Sequence, residues 1–389
     1  MEWGYIYSSD FEVHERNTEK MSKRIWVLIC LGAVMGQAVW AEGIRFERRV
    51  LNADSPFEAC SVFDVDGDGD LDVMCGDSWY EAPEYTRHKI REIKMQDEYA
   101  YDFANIPMDV DKDGRLDVVT VTWHSQAVLW YRNPGPEGGM WEEFEVDRPG
   151  NMETAIEADI DNDGVMDILP NVAQKTIWYR LVGPKKFERM DVLPTGTHGL
   201  GAGDLNGDGR PDLVLPNAWL EQKADGSWVE HSEFELGQMS IPALVHDVDG
   251  DGDGDIIWGM AHAYGVYWLE QQKADDGARV WVKHEIDSDW SQAHYLLLAD
   301  LTGDGRKELV TGKRYRAHNG NDPGGDEPRV IYYYQWDAAS KKWTRYPIQE
   351  EGPAGFGIYA WTADLDGDGR IDLVTPGKSG LYWWKNLGE

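Results

Sequence analysis

Nine residues, Asp64-Val65-Asp66-Gly67-Asp68-Gly69-Asp70-Leu71-Asp72, constrain this chain more than any other stretch. Acidic side chains stand at positions 1, 3, 5 and 9, with glycine at position 6. Alternate placement lets Asp64, Asp66 and Asp68 converge while the backbone curls. Gly69 supplies the sharp turn, because glycine takes positive φ without steric cost. Asp72 closes the shell from the far side. Such a cage of oxygens suits a hard cation, Ca²⁺ above all. Without one, the clustered carboxylates repel each other.

The pattern recurs six times. It reads Asp109, Asp111, Asp113, Asp117; then Asp159, Asp161, Asp163, Asp167; then Asp204, Asn206, Asp208, Asp212. It continues with Asp247, Asp249, Asp251, Asp255; with Asp300, Thr302, Asp304, Glu308; and with Asp364, Asp366, Asp368, Asp372. Successive first aspartates lie 45, 50, 45, 43, 53 and 64 residues apart. A sevenfold period of this length marks a repeat architecture. The flanks are short apolar runs such as Leu71-Asp72-Val73-Met74, which predict strands. An EF-hand would need a twelve-residue loop between helices.

These D-x-D-x-D-G-x-x-D loops between strands resemble FG-GAP/VCBS repeats over about residues 43–389. The resemblance implies an all-β, integrin-like, seven-bladed β-propeller with about one structural Ca²⁺ per blade. The Thr302 loop departs most from the pattern and is expected to bind most weakly.

Four strand signals per repeat agree with seven four-stranded blades. One is aromatic then polar or basic, as in Phe46-Glu47-Arg48 and Trp343-Thr344-Arg345. Another is strongly aromatic, as in Trp130-Tyr131 and Tyr382-Trp383. Most Trp and Tyr are therefore expected between blades. The chain ends just after a strand of this last type, leaving the seventh blade one strand short. Residues 44–51 are expected to supply it and close the ring, removing open sheet edges. Cys60 and Cys75 flank the first loop nearly opposite each other, either as a disulfide or as packed free thiols.

The formal charge of −34 would suggest a solvating role, but the ligand positions of the loops alone hold 26 of the 71 acidic residues. The charge is mostly metal-site inventory, and it disfavours nucleic acid as a partner. Met21-Ser-Lys-Arg, an apolar run from Ile25 to Met35 and Val39-Trp40-Ala41 form a signal-peptide pattern too short to span a membrane. Translation is then expected to start at Met21, with residues 1–20 an upstream extension, residues 21–41 the signal and residues 42–389 the propeller. The expected location is secreted or periplasmic.

If every Asp loop joins a blade's first strand to its second, all seven lie on one face. The opposite face carries the approaches to the first strands and the exits of the second. Six residues before each first Asp stand Glu58, Phe103, Glu153, His198, Ile241, His294 and Ile358. The second-strand exits carry Asp77, His124, Asn171, Asn217, His262, Lys313-Arg314-Tyr315 and Lys378, with Trp79, Trp123 and Trp219 beside them. A long loop from Arg314 to Arg329 adds Arg316, His318, Asn319 and Asp322. Long loops on rigid scaffolds are where function concentrates.

Two functions suit this face. In an enzyme acting on a sugar, His198 or His294 would abstract a proton α to a carbonyl. Arg314, Lys313 or a divalent metal held by Glu58, Glu153, His198 and His294 would stabilise the enolate, and Tyr315 or His124 would protonate the leaving oxygen. That is β-elimination. The arrangement resembles the propeller of aldos-2-ulose dehydratase and, more loosely, propeller-fold ulvan lyases, which implies a class of chemistry. In a lectin, Trp79, Trp123 and Trp219 would stack on sugar rings while Asp77, Asn217, His262, Arg316, His318 and Lys378 grip the ligand. Unequal residues at equivalent positions favour one asymmetric site, hence the enzyme.

Overall fold

The computed structural model describes residues 43–136 and 138–389. The predicted signal peptide and upstream extension lie outside the described residues. Strands dominate, and one short 3₁₀ turn, Ala317–Gly320, is the helical element among the described residues.

Each blade is a four-stranded antiparallel meander. The first holds Cys60–Phe63, Asp72–Cys75, Ser78–Glu81 and Thr86–Lys89, and the second Ile106–Met108, Asp117–Val121, Val128–Arg132 and Glu142–Asp147. The third holds Met152–Ala158, Asp167–Val172, Thr176–Gly183 and Lys186–Leu193. The sixth runs from Ala293–Ala299 through Glu308–Lys313 and Ile331–Asp337 to Lys342–Gln349. The fourth and fifth are fused into one eight-stranded sheet by parallel pairing of their first strands, Gly201–Gly203 and Ala243–His246. Glycine permits that approach, since a Cβ on Gly201 would lie 2.3 Å from the Ala243 carbonyl oxygen.

The seventh blade has Trp361–Ala363, Asp372–Thr375 and Leu381–Asn386, and its outer strand is Phe46–Asn52 from the other end of the chain. Phe46 pairs with Asn386 and Val50 with Tyr382, so the ring closes as the sequence predicts. Arg45 N–H donates to Gly388 O at 3.0 Å, and Leu387 N–H to Arg45 O at 2.9 Å. The two ends are stitched together beyond the strands as well.

Apolar side chains pack between neighbouring blades. Phe63, Val65 and Met74 of the first meet Val118, Leu129 and Tyr131 of the second. Leu169 and Trp178 of the third meet Leu213 and Leu220 of the fourth. Most of the aromatic third-strand residues are buried there. Cys60 and Cys75 face each other across the first hairpin as buried free thiols.

The Asp loops join first to second strands in every blade. Their ninth-position carboxylate is bonded to the backbone of its own blade. In all seven it accepts the N–H of the loop's second residue, from Val65 to Asp72 at 2.9 Å through Leu301 to Glu308 at 2.8 Å. In five its other oxygen accepts the N–H at the end of the third strand, as from Asn386 to Asp372 at 2.8 Å. Four of those third-strand residues reach on to the preceding blade. Asn133 donates to Val65 O, Gln222 to Ile160 O, Gln271 to Leu205 O and Asn386 to Leu301 O, at 2.7–2.9 Å. One carboxylate thus ties three strands, and its neighbour ties two blades. Burial pushes Asp72, Asp117, Asp212 and Asp372 up to about 6, and Asp167 and Asp255 up to about 7.

Candidate functional site

The loops fit a hard cation on their own geometry. Oxygens of Asp64, Asp66 and Asp72 lie within 4.8 Å of one another, as do those of Asp109, Asp111 and Asp117 and those of Asp159, Asp161 and Asp167. Buried oxygens of Asp111 and Asp161 have no hydrogen-bond partner, as inward-facing ligands should. Some loops carry basic partners: Arg132 holds Asp111 at 2.6 Å, and Lys385 holds Asp366 and Asp368. In the Thr302 loop the hydroxyl is spent on Glu308 at 3.2 Å.

The opposite mouth has no such repetition. Glu153 and His294 sit on the first strands of the third and sixth blades. Glu58 and His198 stand just before those of the first and fourth, and Arg314 and His262 just after the second strands of the sixth and fifth. The structure brings all of them together. Arg314 donates to both oxygens of Glu58, at 2.8 and 3.3 Å, and to Glu153 Oε1 at 2.9 Å. His294 Nε2 stands 2.9 Å from Glu153 Oε1, and His198 Nε2 contacts Glu153 Oε2. His262 Nε2 lies 3.1 Å from His198 Nε2. His318 stacks on the His262 ring at 4.3 Å, and Asp322 accepts from Nδ1 of both, at 2.9 Å each.

Burial sets the charges. It opposes ionisation of Glu58, but Arg314 and Lys378 outweigh it and hold the carboxyl below its usual range. It opposes ionisation of Glu153 too, and the imidazoles of His294 and His198 outweigh it strongly. His294, at 0% exposure, is pushed down to about 4 by burial, so the charge of that pair resides on Glu153. His198 goes the other way: desolvation is outweighed by its hydrogen bond to Glu153, and its pKa rises. Burial lowers Lys378 to about 8, over the Tyr99 ring at 3.6 Å.

Above the cluster lies a cavity of about 230 Å³, lined by Tyr99, Phe103, Trp123, His124, Glu153, His198, Arg314 and His318. His124 stacks on Tyr101 at 5.1 Å.

Several predicted residues lie elsewhere. Trp79 and Trp219 lie outside this cavity, and the half-buried Trp79 lines a separate one with Arg87, Asn133 and Trp141. Trp79 and Trp219 stack on His88 at 4.7 Å and His231 at 4.3 Å, across the third and outer strands, and Trp219 is 1% exposed. Trp268 and His284 repeat the pairing at 4.6 Å. Each histidine also meets a strand-three glutamate, Glu81, Glu221 or Glu270. Asp77 is engaged by Arg87 and Ser78. Lys313, 1% exposed, turns to Ser291 and the Gly324 carbonyl and pins the long loop. Tyr315 lines a separate cavity with Arg316, under Arg329 at 4.6 Å, and Arg316 pairs with Glu98. Asn217 is exposed outside the cavity lining. Arg314 and Lys378 are not a positive rim open to a ligand: both are buried against Glu58. Glu58 likewise leaves the anticipated metal set, and His262 takes its place beside Glu153, His198 and His294. Tyr99 had no signal in the repeat, since it comes from a hairpin between blades, Met95–Gln96 with Tyr99–Ala100.

Comparison with known proteins agrees with this architecture. Residues 109–169 match the family model of the FG-GAP-like repeat, and the sheets are arranged as a propeller. A solved exo-type rhamnogalacturonan lyase, YesX, superposes with a TM-score of 0.50 at 13% identity, over 88% of this chain and 73% of that one. An Agrocybe aegerita lectin recognising non-reducing terminal N-acetylglucosamine gives 0.49 at 17% identity, over 89% and 94%. Rhamnogalacturonan lyase YesW gives 0.42 at 14%, over 89% and 76%. No curated protein matches the sequence.

Proposed function

We propose that this protein is an exported, calcium-stabilised propeller that acts on a carbohydrate by β-elimination in the cavity opposite the Asp loops. One observation carries the reading. A single asymmetric cavity combines a partly exposed imidazole backed by a buried carboxylate, a fixed guanidinium and aromatic walls. His198, not the fully buried His294, is the base. It removes the proton α to a carboxylate or carbonyl, and the electron pair forms the new C=C bond as the β C–O bond breaks. Arg314 faces the charge developing on the enolate. His124 returns a proton to the leaving oxygen, a role Tyr315 cannot fill from its own cavity. Trp123, 38% exposed, offers a face for a sugar ring.

The lectin reading loses Trp219, which is buried under His231, and Trp79, stacked on His88, lines a cavity apart from Trp123. The test is incubation with polyuronates and keto-sugars, followed by ultraviolet absorbance of the unsaturated product. New absorbance that disappears in His198→Ala supports the reading. Binding without any turnover across these substrates would hand the site to the lectin.

A further inference from the structure

We infer that the axial channel, where it opens on the Asp-loop face, binds an organic ammonium ion: a primary or methylated amine on an apolar body. Glu157 is its counter-ion, and Tyr295, Tyr359 and Trp361 are its aromatic wall. The site is a second cavity, of about 540 Å³, and it shares no lining residue with the carbohydrate cavity. Its size falls in the range of small-molecule pockets, roughly 300–1,000 Å³. The first strands of the third to seventh blades line it, with the approach to the last of them. Met166 and Lys307 mark the mouth. Each is exposed and stands just before the ninth-position carboxylate of its own Asp loop.

A break in the repeat makes the case. Two residues before each first aspartate stand Val62, Pro107, Glu157, Ala202, Val245, Leu298 and Thr362. Equal offsets fall at equal heights around the axis, so a single carboxylate stands in an otherwise uncharged ring. The wall around it is largely aliphatic, with Ile156, Leu244, Leu296 and Leu298 among its residues. Glu157 has no hydrogen-bond or ion-pair partner among the described residues. A carboxylate set in an apolar wall is costly unless a counter-ion joins it. Lys307 is the other charged lining residue, and it stays out at the mouth, beyond ion-pair reach of Glu157.

The aromatic wall selects the kind of cation. Tyr295 and Tyr359 each stand five residues before their loop, three residues deeper than Glu157. That is a depth of about 10 Å at the strand rise of about 3.3 Å per residue. Their ring centroids are 5.4 Å apart, and Trp361 follows Tyr359 at 6.2 Å. Burial raises the ionisation of both phenols, and the Glu157 carboxylate raises it further, so the wall stays neutral beside its one anion. Ring faces attract a cation, most strongly a poorly hydrated organic one. An ammonium at Glu157 then leaves its apolar body to fill the channel toward the tyrosines. Ca²⁺ does not suit this place, because it needs six to eight oxygens and the channel offers one carboxylate. The acidic loops around the mouth draw cations toward it and turn anions away.

Phenethylammonium is the probe, and 2-phenylethanol is its uncharged counterpart. Each is titrated calorimetrically into the full protein in excess Ca²⁺, so that the Asp loops do not compete for the amine. One saturable site is expected for the amine, at least about tenfold tighter than for the alcohol. Glu157→Gln should bring the amine down to the level of the alcohol. Lys307→Gln should tighten the amine, since a rival cation leaves the mouth. His198→Ala, at the opposite mouth, should change neither. Equal affinity for amine and alcohol overturns the assignment, as does amine binding that Glu157→Gln leaves intact. Absence of saturable binding in both the wild type and Lys307→Gln overturns it too. A loss in His198→Ala would place the amine in the carbohydrate cavity and overturn it likewise. Should Glu157→Gln fail to fold, the alcohol decides for the charge, and the exposed Lys307 decides for the place: an amine affinity that does not rise in Lys307→Gln then sinks the site. The carbohydrate reading stands or falls apart from all of these outcomes, because its own readout is unsaturated product.

Discussion

The two faces of the propeller are built by opposite rules. On the loop face, seven loops repeat one hydrogen bond, each ninth-position carboxylate accepting from the second residue of its own loop. On the other face, equivalent positions hold Glu58, Phe103, Glu153, His198, Ile241, His294 and Ile358, and the four titratable ones meet in one cluster. Repetition of a residue around the ring reports what every blade needs to stand. Departure from it reports what only one place needs to do. The same rule sorts the tryptophans: Trp79, Trp219 and Trp268 share one histidine-stacked role, whereas Trp123 stands alone at the cavity.

The largest test of this contrast is cation removal. A site held at a hundredfold excess over its Kd contributes about 2.7 kcal/mol, and several loops act together. Chelation should lower the melting temperature steeply, with recovery on adding Ca²⁺. Unchanged melting in excess chelator would falsify the stabilising role of the loop face. Next comes the charged cluster. Arg314→Ala leaves Glu58 and Glu153 buried without their shared cation, at a cost of about 3–5 kcal/mol. Urea unfolding should show that loss, and Arg314→Lys should recover part of it. A near-zero change would mean that water already solvates the cluster.

His198→Ala should separate function from stability. Turnover is expected to fall by about 10²–10⁴-fold, while calcium-dependent melting stays as it was. The base must be neutral, and Glu153 raises the His198 pKa. Activity should therefore rise as pH passes above about 6.5, the ordinary histidine value. A rate falling over that window would assign His198 the acid's role instead. The smallest effect is expected at His231→Ala, which removes one cross-strand stack on Trp219, worth about 0.2–1 kcal/mol. A change in turnover there would mean that the outer strands reach the site.

The fold was legible because the loop pattern is strict and each copy announces a hairpin. Counting strands from those loops located the missing outer strand and thus the closure by Phe46–Asn52. The site was legible where it obeyed the ring. An offset of six residues before each loop picked out Glu58, Glu153, His198 and His294, since rotational symmetry carries equal offsets to equal heights. Side-chain direction was not legible from offsets. Trp79 and Trp219 lie inside third strands, where alternation turns them onto the outer strand, whereas Trp123 lies in a turn and is free of that rule. Lys313 is the last residue of its strand and Arg314 the first beyond it, so neighbours in sequence serve different ends: Lys313 pins a loop and Arg314 enters the cluster. Tyr99 and the partnership of Asp322 with His262 come from insertions that no repeat aligns.

The stitched seam between Phe46–Asn52 and Leu381–Asn386 has a consequence for how the ring comes into being. The strand that completes the last blade precedes every other described strand, and it waits without its partner until Leu381–Asn386 is made. No stage of the growing chain short of Asn386 can be a finished ring, so closure is a latch thrown once. With Arg45 and Gly388 bonded at 3.0 Å, the latch can also be moved. A chain joined across those ends by a short linker and reopened at the surface turn near Gly138 should assemble the same ring, with its seam in a different blade.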